Sequence, residues 1–298
     1  MAFSHLKLKE ETLYELRRMK YIEEYIFKAL MYLSLFIVAG FVLSVLWSIF
    51  SKGVPVLTWE MVSSLPGSGF YVGKEGGFLN AIVGSVYIVT ASTIIGLIVS
   101  IPVVFFLNVY LKEDSRFAYV ARLAYDVLFG IPSIVYGAFA FTLMIVMGVK
   151  ASLLGGIIVE TLLIIPILIR SMDEVARTIP KDLLEAAYSL GATKIETIGV
   201  VVRQIAPAIA TATLLSVGRA MGDAAGVMFT AGFTDHIPEA LTDKAATLPL
   251  SVFFQLSVPQ VEVQNRAYAA AVVLTIIVLI LSLSGRLIMR YFSKNRIE

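Results

Sequence analysis

Six stretches of this sequence run for about twenty residues or more with almost no charge, and a chain built that way has few folds open to it. They are residues 29–51, 76–111, 127–149, 151–169, 206–229 and 267–285. At about 1.5 Å of rise per residue, about twenty helical residues match the roughly 30 Å of hydrocarbon in a bilayer, where the backbone must satisfy its own hydrogen bonds. The pattern predicts an all-α polytopic membrane protein with six transmembrane helices. Composition agrees: hydrophobic residues are 58% and charged residues 15% of the 298, too little polar material to cover a soluble globule.

The polar segments organise the rest. Residues 1–28 carry charges of both signs, with Thr12 and Glu15 in a capping-box pattern and Leu13, Leu16, Met19 and Ile22 leaning to one side. This predicts an interfacial N-terminal helix, and the acidic groups Glu10, Glu11, Glu15, Glu23 and Glu24 argue against a nucleic-acid patch. Residues 29–51 are too long for a signal-peptide core and lack a small-residue cleavage site, so they are read as the first span, with Trp47 an interfacial anchor. A glycine-, proline- and serine-rich external loop follows at 52–78, and the second span proper is placed at 82–107. Residues 234–266 are read as external, with 248–256 and 258–263 as short interfacial elements.

Orientation follows from the basic residues. Segments 1–28, 112–125, 170–205 and 286–298 hold six, three, five and four Lys and Arg; segments 51–78, 148–153 and 230–266 hold two, one and two. The positive-inside rule places both termini in the cytoplasm, which requires an even number of spans.

Residues 179–207 lie on the same side. Leu183, Leu184, Ala187 and Leu190 recur at helical spacing while Lys181, Asp182 and Glu185 point elsewhere. Gly191 ends that helix, and Thr193 with Glu196 forms the reciprocal cap that opens another. The segment is a helix-turn-helix knob; an ordinary loop between two spans is the plain alternative.

Charge inside the spans is sparse. Glu160 lies near the centre of the fourth, where a carboxylate costs about 2.5 to 3.5 kcal/mol unless it faces protein or water. Packing against a partner subunit and a part in transport both remain open for it. Arg219 and Asp223 in the fifth are four apart, which on a helix puts them on one face. They read either as a salt bridge stapling the bundle or as a functional pair. Gly218, Gly222 and Gly226 repeat at four-residue spacing beside them, a pattern for close helix packing.

Three strings carry a resemblance. Glu185-Ala186-Ala187, Gly191 and Thr193 resemble the docking-loop signature of permease subunits of ATP-binding-cassette importers. Gly130-Ile131-Pro132-Ser133-Ile134-Val135-Tyr136-Gly137, and Gly218-Arg219-Ala220-Met221-Gly222-Asp223 followed by Phe229-Thr230-Ala231-Gly232, resemble permeases of phosphate importers, the last closer to the PstA-like than to the PstC-like subunit. With the lead-in from Gly76, the resemblance covers 76–285. It implies a type I importer permease fold with a cytoplasmic coupling-helix loop at 173–205, where Glu185, Ala186, Ala187 and Gly191 would couple to the ATPase and Arg219 and Asp223 would line the substrate pathway.

The sequence departs from that family in places. Arg203-Gln204 stand where Leu-Pro is usual, with Pro207 displaced, so the second knob helix is expected to run about a turn further. Asp223 replaces a glutamate and Ala224 a threonine. The division implied is 1–28 interfacial helix, 29–75 first span and external loop, 76–285 permease core and 286–298 cytoplasmic tail.

The implied function is one half of the inner-membrane channel of an ATP-driven phosphate importer. Its implied partners are a PstC-like permease, two PstB-like ATPases, a PstS-like external binding protein and membrane lipids. Another oxyanion (sulfate, molybdate, phosphonate), or the PstC-like role, is the alternative. No cofactor or metal is expected: cysteine is absent, and the two histidines, His5 and His236, lie in different polar segments. A nucleotide-binding loop is missing, since Gly73-Lys74 is followed by glutamate, and neither histidine lies in a span as an intramembrane protease would need. An ion channel would explain polar residues in a span but not the knob.

Overall fold

The structure is a computed structural model that describes residues 2–67, 76–112 and 114–293. The chain divides into two units, Met1–Ser51 and the remainder from Lys52. The first is essentially one helix, α1 (Ala2–Gly53). The interfacial helix and first span predicted separately are therefore continuous, and the capping pattern at Thr12 opens nothing because the helix is already running there. The reason is that neither glycine nor proline stands at the boundary between the two segments: Gly40 lies within the span and does not break it, and the helix ends at Gly53, two residues ahead of Pro55.

The second unit begins with a short helix, α2 (Trp59–Ser63), capped by the Thr58 hydroxyl, which accepts from the Met61 N–H at 3.3 Å. Helix α3 (Leu79–Phe105) continues into a π-helical turn, Phe106–Tyr110. Then come α4 (Arg116–Gly130) and α5 (Ser133–Val146), α6 (Leu153–Ala176), α7 (Lys181–Ser189), α8 (Lys194–Gly222), α9 (Leu248–Leu256) and α10 (Val261–Ser293).

Helix α3 packs on α6, and α8 and α10 complete the bundle. Val104, Ile164, Leu168, Met172, Ile205 and Ala212 are buried where α3, α6 and α8 meet. Gly96 makes the α3 to α6 approach possible: a Cβ there would stand 3.1 Å from the side chains of Ile164 and Leu168. A second core under α9 buries Phe78, Ala246, Leu248, Ala269 and Ala270. The Ser85 hydroxyl accepts from the Leu248 N–H at 2.9 Å, so α9 is fastened to α3. The interfacial element predicted at 248–256 is thus a helix whose Leu248 and Leu250 are fully buried.

Five helical stretches are long and apolar enough to cross a membrane: Lys20–Gly53, Leu79–Tyr110, Leu153–Ala176, Lys194–Gly222 and Val261–Leu287. A sixth crossing requires α4 and α5 to act together, and they are bent by 99°. The third span expected at 127–149 is therefore not a single helix but begins within α4 and is broken at Pro132. Pro132 lacks an N–H and biases Ile131 away from helical ψ; Ile131 adopts ψ 130° and Pro132 ψ 142°. Tyr136 spans the break, its hydroxyl donating to the Leu128 carbonyl at 2.9 Å.

The fifth and sixth spans also shift. Helix α8 joins the second half of the knob to the fifth span, passes through Pro207, and stops at Gly222 rather than continuing to 229. The last helix starts at Val261 rather than 267, and the Arg266 guanidinium donates to the Gly76 carbonyl.

Candidate functional site

The knob is built as its sequence requires. Leu184 packs against the main core, while Glu185 and Ala186 are exposed and Ala187 is half-buried. Helix α7 ends in a turn in which the Gly191 N–H donates to Tyr188 at 2.9 Å and the Ala192 N–H to Ala187 at 3.1 Å. Gly191 has φ 84°, a left-handed conformation that glycine adopts freely, with open space around it. The reciprocal cap of α8 is present. The Glu196 N–H donates to Thr193 Oγ1 at 3.3 Å, and the Thr193 N–H donates to Glu196 Oε2 at 2.7 Å. Tyr188, Leu190 and Ile195 leave an apolar surface around the turn, with Leu190 90% exposed.

At the other end of α8 the geometry differs from the expected helical pair. Asp223 is the residue that closes the helix, with ψ 117°, so it does not continue the face that carries Arg219. Its carboxylate is engaged elsewhere. Oδ1 accepts from the Ser133 hydroxyl at 2.9 Å and from the Ala225 N–H at 3.1 Å, and Oδ2 accepts from the Gly226 N–H at 3.2 Å. Two of the three sequence strings, Gly130 to Gly137 and Gly218 to Asp223, therefore meet at one hydrogen bond. Gly137 lies against the Gly226 carbonyl, so the contact extends along α5.

Arg219 is exposed in the last turn of α8, where a cation complements the negative end of the helix dipole. The ion pairs found among the described residues do not include one between Arg219 and Asp223. The three glycines predicted at four-residue spacing do not share one face of α8. Gly218 and Gly222 face open space and Gly226 lies beyond the helix end. Glu160 is fully buried in α6, and among the described residues no geometric hydrogen bond reaches either of its carboxyl oxygens.

A polar cluster that the sequence did not single out lies on the knob side of α6. Asp173, 1% exposed, accepts from Arg122 Nε at 2.9 Å, Tyr125 Oη at 2.7 Å and Asn108 Nδ2 at 2.7 Å. Arg122 Nη2 reaches Oδ1 as well, at 3.2 Å, making the pair bidentate. Asn108 sits in the π-helical turn, so the cluster ties α3, α4 and α6 together. The available signal was Asp173 standing on the buried stripe of Ile169, Met172 and Ala176 at helical spacing. Outside it, Arg170 pairs with Asp126 at 3.4 Å and lies 4.7 Å from the Phe129 ring centre. Among the described residues there is no group of three or more His, Cys, Asp or Glu arranged to hold a metal ion.

A helical membrane bundle carrying a helix-turn-helix between two spans is the architecture of a solute-importer permease, and the chain belongs to that class. Residues 101–297 match the family described as binding-protein-dependent transport system inner membrane component. Within that family its relatives include the phosphate transport system permease protein PstA of Haemophilus influenzae, 32% identical over 88% of this chain and 92% of the relative. PstA of Pasteurella multocida is 31% identical over 84% and 88%, and PstA of Mycobacterium leprae 34% over 70% and 69%. In fold, the chain is similar to an inward-facing structure of the MetNI methionine ABC transporter, with TM-score 0.58, 17% identity, 72% of this chain and 95% of that one covered. The protein is a multi-pass inner-membrane component of a transport system.

Proposed function

We propose that this chain is one permease subunit of an ATP-driven phosphate importer, forming the translocation pathway together with a second, PstC-like permease. Two PstB-like ATPase subunits supply the energy and a PstS-like external protein delivers the anion. Both termini and the 173–205 loop face the cytoplasm. Glu185, Ala186, Ala187 and Gly191 form the surface that seats in the ATPase, with Tyr188, Leu190 and Ile195 its apolar part.

Arg219 is the observation that carries the substrate reading: a guanidinium exposed at the end of a span, in a family whose relatives named above transport phosphate. Its planar fork donates two parallel hydrogen bonds to two oxygens of a tetrahedral anion, which an ammonium cannot do in that geometry. Asp223 serves the pathway by holding the turn behind the arginine rather than by neutralising it. Uptake of radiolabelled phosphate by vesicles holding the four-component complex, with sulfate and molybdate in parallel, tests this. ATP-dependent accumulation of phosphate is expected, and accumulation of another oxyanion in its place would overturn the substrate assignment.

A further inference from the structure

A cavity of about 430 Å³ opens between α4 and α6, lined by Tyr125 and Asp126 on one side and by Arg170, Asp173, Glu174, Arg177 and Thr178 on the other. Neither Arg219 nor the Gly191 turn borders it. Its depth in the bilayer follows from the chain: the uncharged run of α6 ends at Ile169 and the charged residues begin at Arg170, where hydrocarbon gives way to headgroups. On α4, Val120, Leu123 and Val127 form an exposed apolar stripe at helical spacing, while Ala118 and Tyr125 are buried on the opposite side and Asp126 stands at the border. One wall of the cavity therefore runs out onto a surface suited to acyl chains.

The charges in the cavity are mixed. Asp173 is already held by Arg122, Tyr125 and Asn108. Arg170 is fixed on two sides, by Asp126 at 3.4 Å and by the Phe129 ring, whose centre is 4.7 Å away. Glu174 and Arg177 are both exposed, and the ion pairs found among the described residues include neither. Arg170, Glu174 and Arg177 follow one another at helical spacing, so a carboxylate stands between two guanidinium groups on one face of α6, over about 10 Å. That order suits neither a simple anion, which Glu174 would repel, nor a simple cation, which the arginines would repel. It suits a zwitterion whose phosphate and ammonium are joined by a short bridge.

We propose that this cavity seats the headgroup of a phosphatidylethanolamine molecule, with the phosphodiester on Arg170 and Arg177, the ammonium on Glu174 and an acyl chain along Val120, Leu123 and Val127. The guanidinium forks donate paired hydrogen bonds to phosphate oxygens, and a primary ammonium has three N–H donors for the carboxylate, which a quaternary choline lacks. Pockets of this kind between spans at a membrane face are a recurrent way of holding lipid headgroups. The lipid packs against the last turns of α6, directly before the knob, and its binding does not depend on which anion the protein carries.

Native mass spectrometry of the intact complex, stripped of loose lipid and equilibrated with equal amounts of phosphatidylethanolamine, phosphatidylcholine and phosphatidylglycerol, tests this. Phosphatidylethanolamine should be retained in preference to the other two. Glu174→Gln should shrink its advantage over phosphatidylglycerol, and Arg177→Gln should lower its retention, each by about three-fold or more, the difference from wild type separating this cavity from other lipid sites on the complex. Both side chains are exposed, so both variants should assemble. Equal retention of the three lipids, or a variant that behaves as wild type, overturns the proposal. Preference for phosphatidylglycerol would mark a plain basic patch, displacement of the lipid by excess inorganic phosphate would mark a site for the free anion, and loss of assembly in either variant would mark a protein contact; each of these overturns it as well.

Discussion

The Ser133 hydroxyl donates to Asp223 Oδ1 at 2.9 Å, joining the start of α5 to the end of α8 across 90 positions of sequence. A hydrogen bond to a charged acceptor contributes about 1.5 to 3 kcal/mol, so Ser133→Ala should lower stability by a similar amount, less whatever water restores. Thermal unfolding of the purified complex checks this. Asp223→Ala should cost more than Ser133→Ala, because it also strands the N–H groups of Ala225 and Gly226. Equal melting temperatures for the two variants would show that the turn does not depend on that carboxylate.

Asp173 presents a different balance. Removing one member of a buried ion pair costs about 3 to 5 kcal/mol because the other is left uncompensated. Asp173→Ala should therefore nearly abolish accumulation of folded protein in membranes. Replacing both members, Arg122→Met with Asp173→Leu, should recover a large part of it, and a double variant no better than the single would refute the uncompensated-charge account.

Gly191 sits at φ 84° with nothing around it to clash, so a substitution there acts through the backbone alone. A β-branched side chain is strained in that conformation by about 1 to 2 kcal/mol or more, whereas asparagine visits it readily. Gly191→Val should leave the membrane bundle assembled while ATPase activity ceases to respond to substrate, and Gly191→Asn should stay close to wild type. Normal transport by the valine variant would remove the docking role from this turn.

Arg219→Lys keeps the charge and loses the planar fork. Assembly should persist and phosphate uptake should fall by about tenfold or more, the equivalent of one lost bidentate contact at about 1.4 kcal/mol per decade. Since Asp223 does not pair with Arg219, exchanging the two charges should not restore uptake. Restored uptake in the exchanged variant would return the pair to a merely structural role.

The absence of cysteine makes orientation directly measurable. Ser189 is exposed at the end of α7, so Ser189→Cys should react with an impermeant maleimide only from the cytoplasmic face. Labelling from outside in intact cells would invert the topology.

The helical class, the knob and both of its caps were legible because each rests on local rules: hydropathy, helical spacing, a left-handed glycine, a reciprocal Thr193 and Glu196 cap. What sequence misjudged is where α8 ends: Gly222 closes it, but was read as one member of a packing repeat along a continuing helix. Asp223 looked like a face residue of α8 because spacing of four assumes the helix continues, and the carboxylate itself helps end it by accepting from the N–H groups of Ala225 and Gly226. The bend at Pro132 has a local cause in the proline, but composition does not encode an angle of 99°. The Asp173 cluster joins residues 51 and 65 positions apart, and neither spacing leaves a mark in one sequence.

Helix α8 carries its Thr193 cap at one end and Arg219 in its last turn at the other. The 25 residues between Lys194 and Arg219 span about 38 Å, so a tilt of about 5° at the capped end swings the guanidinium by roughly 3 Å. That is comparable to one hydrogen-bond length. Under the proposed function, a rocking motion delivered at the knob would need no relay of side chains to reach an anion held by Arg219: one helix, interrupted only by Pro207, would turn a small stroke at the membrane edge into the making or breaking of a grip inside it.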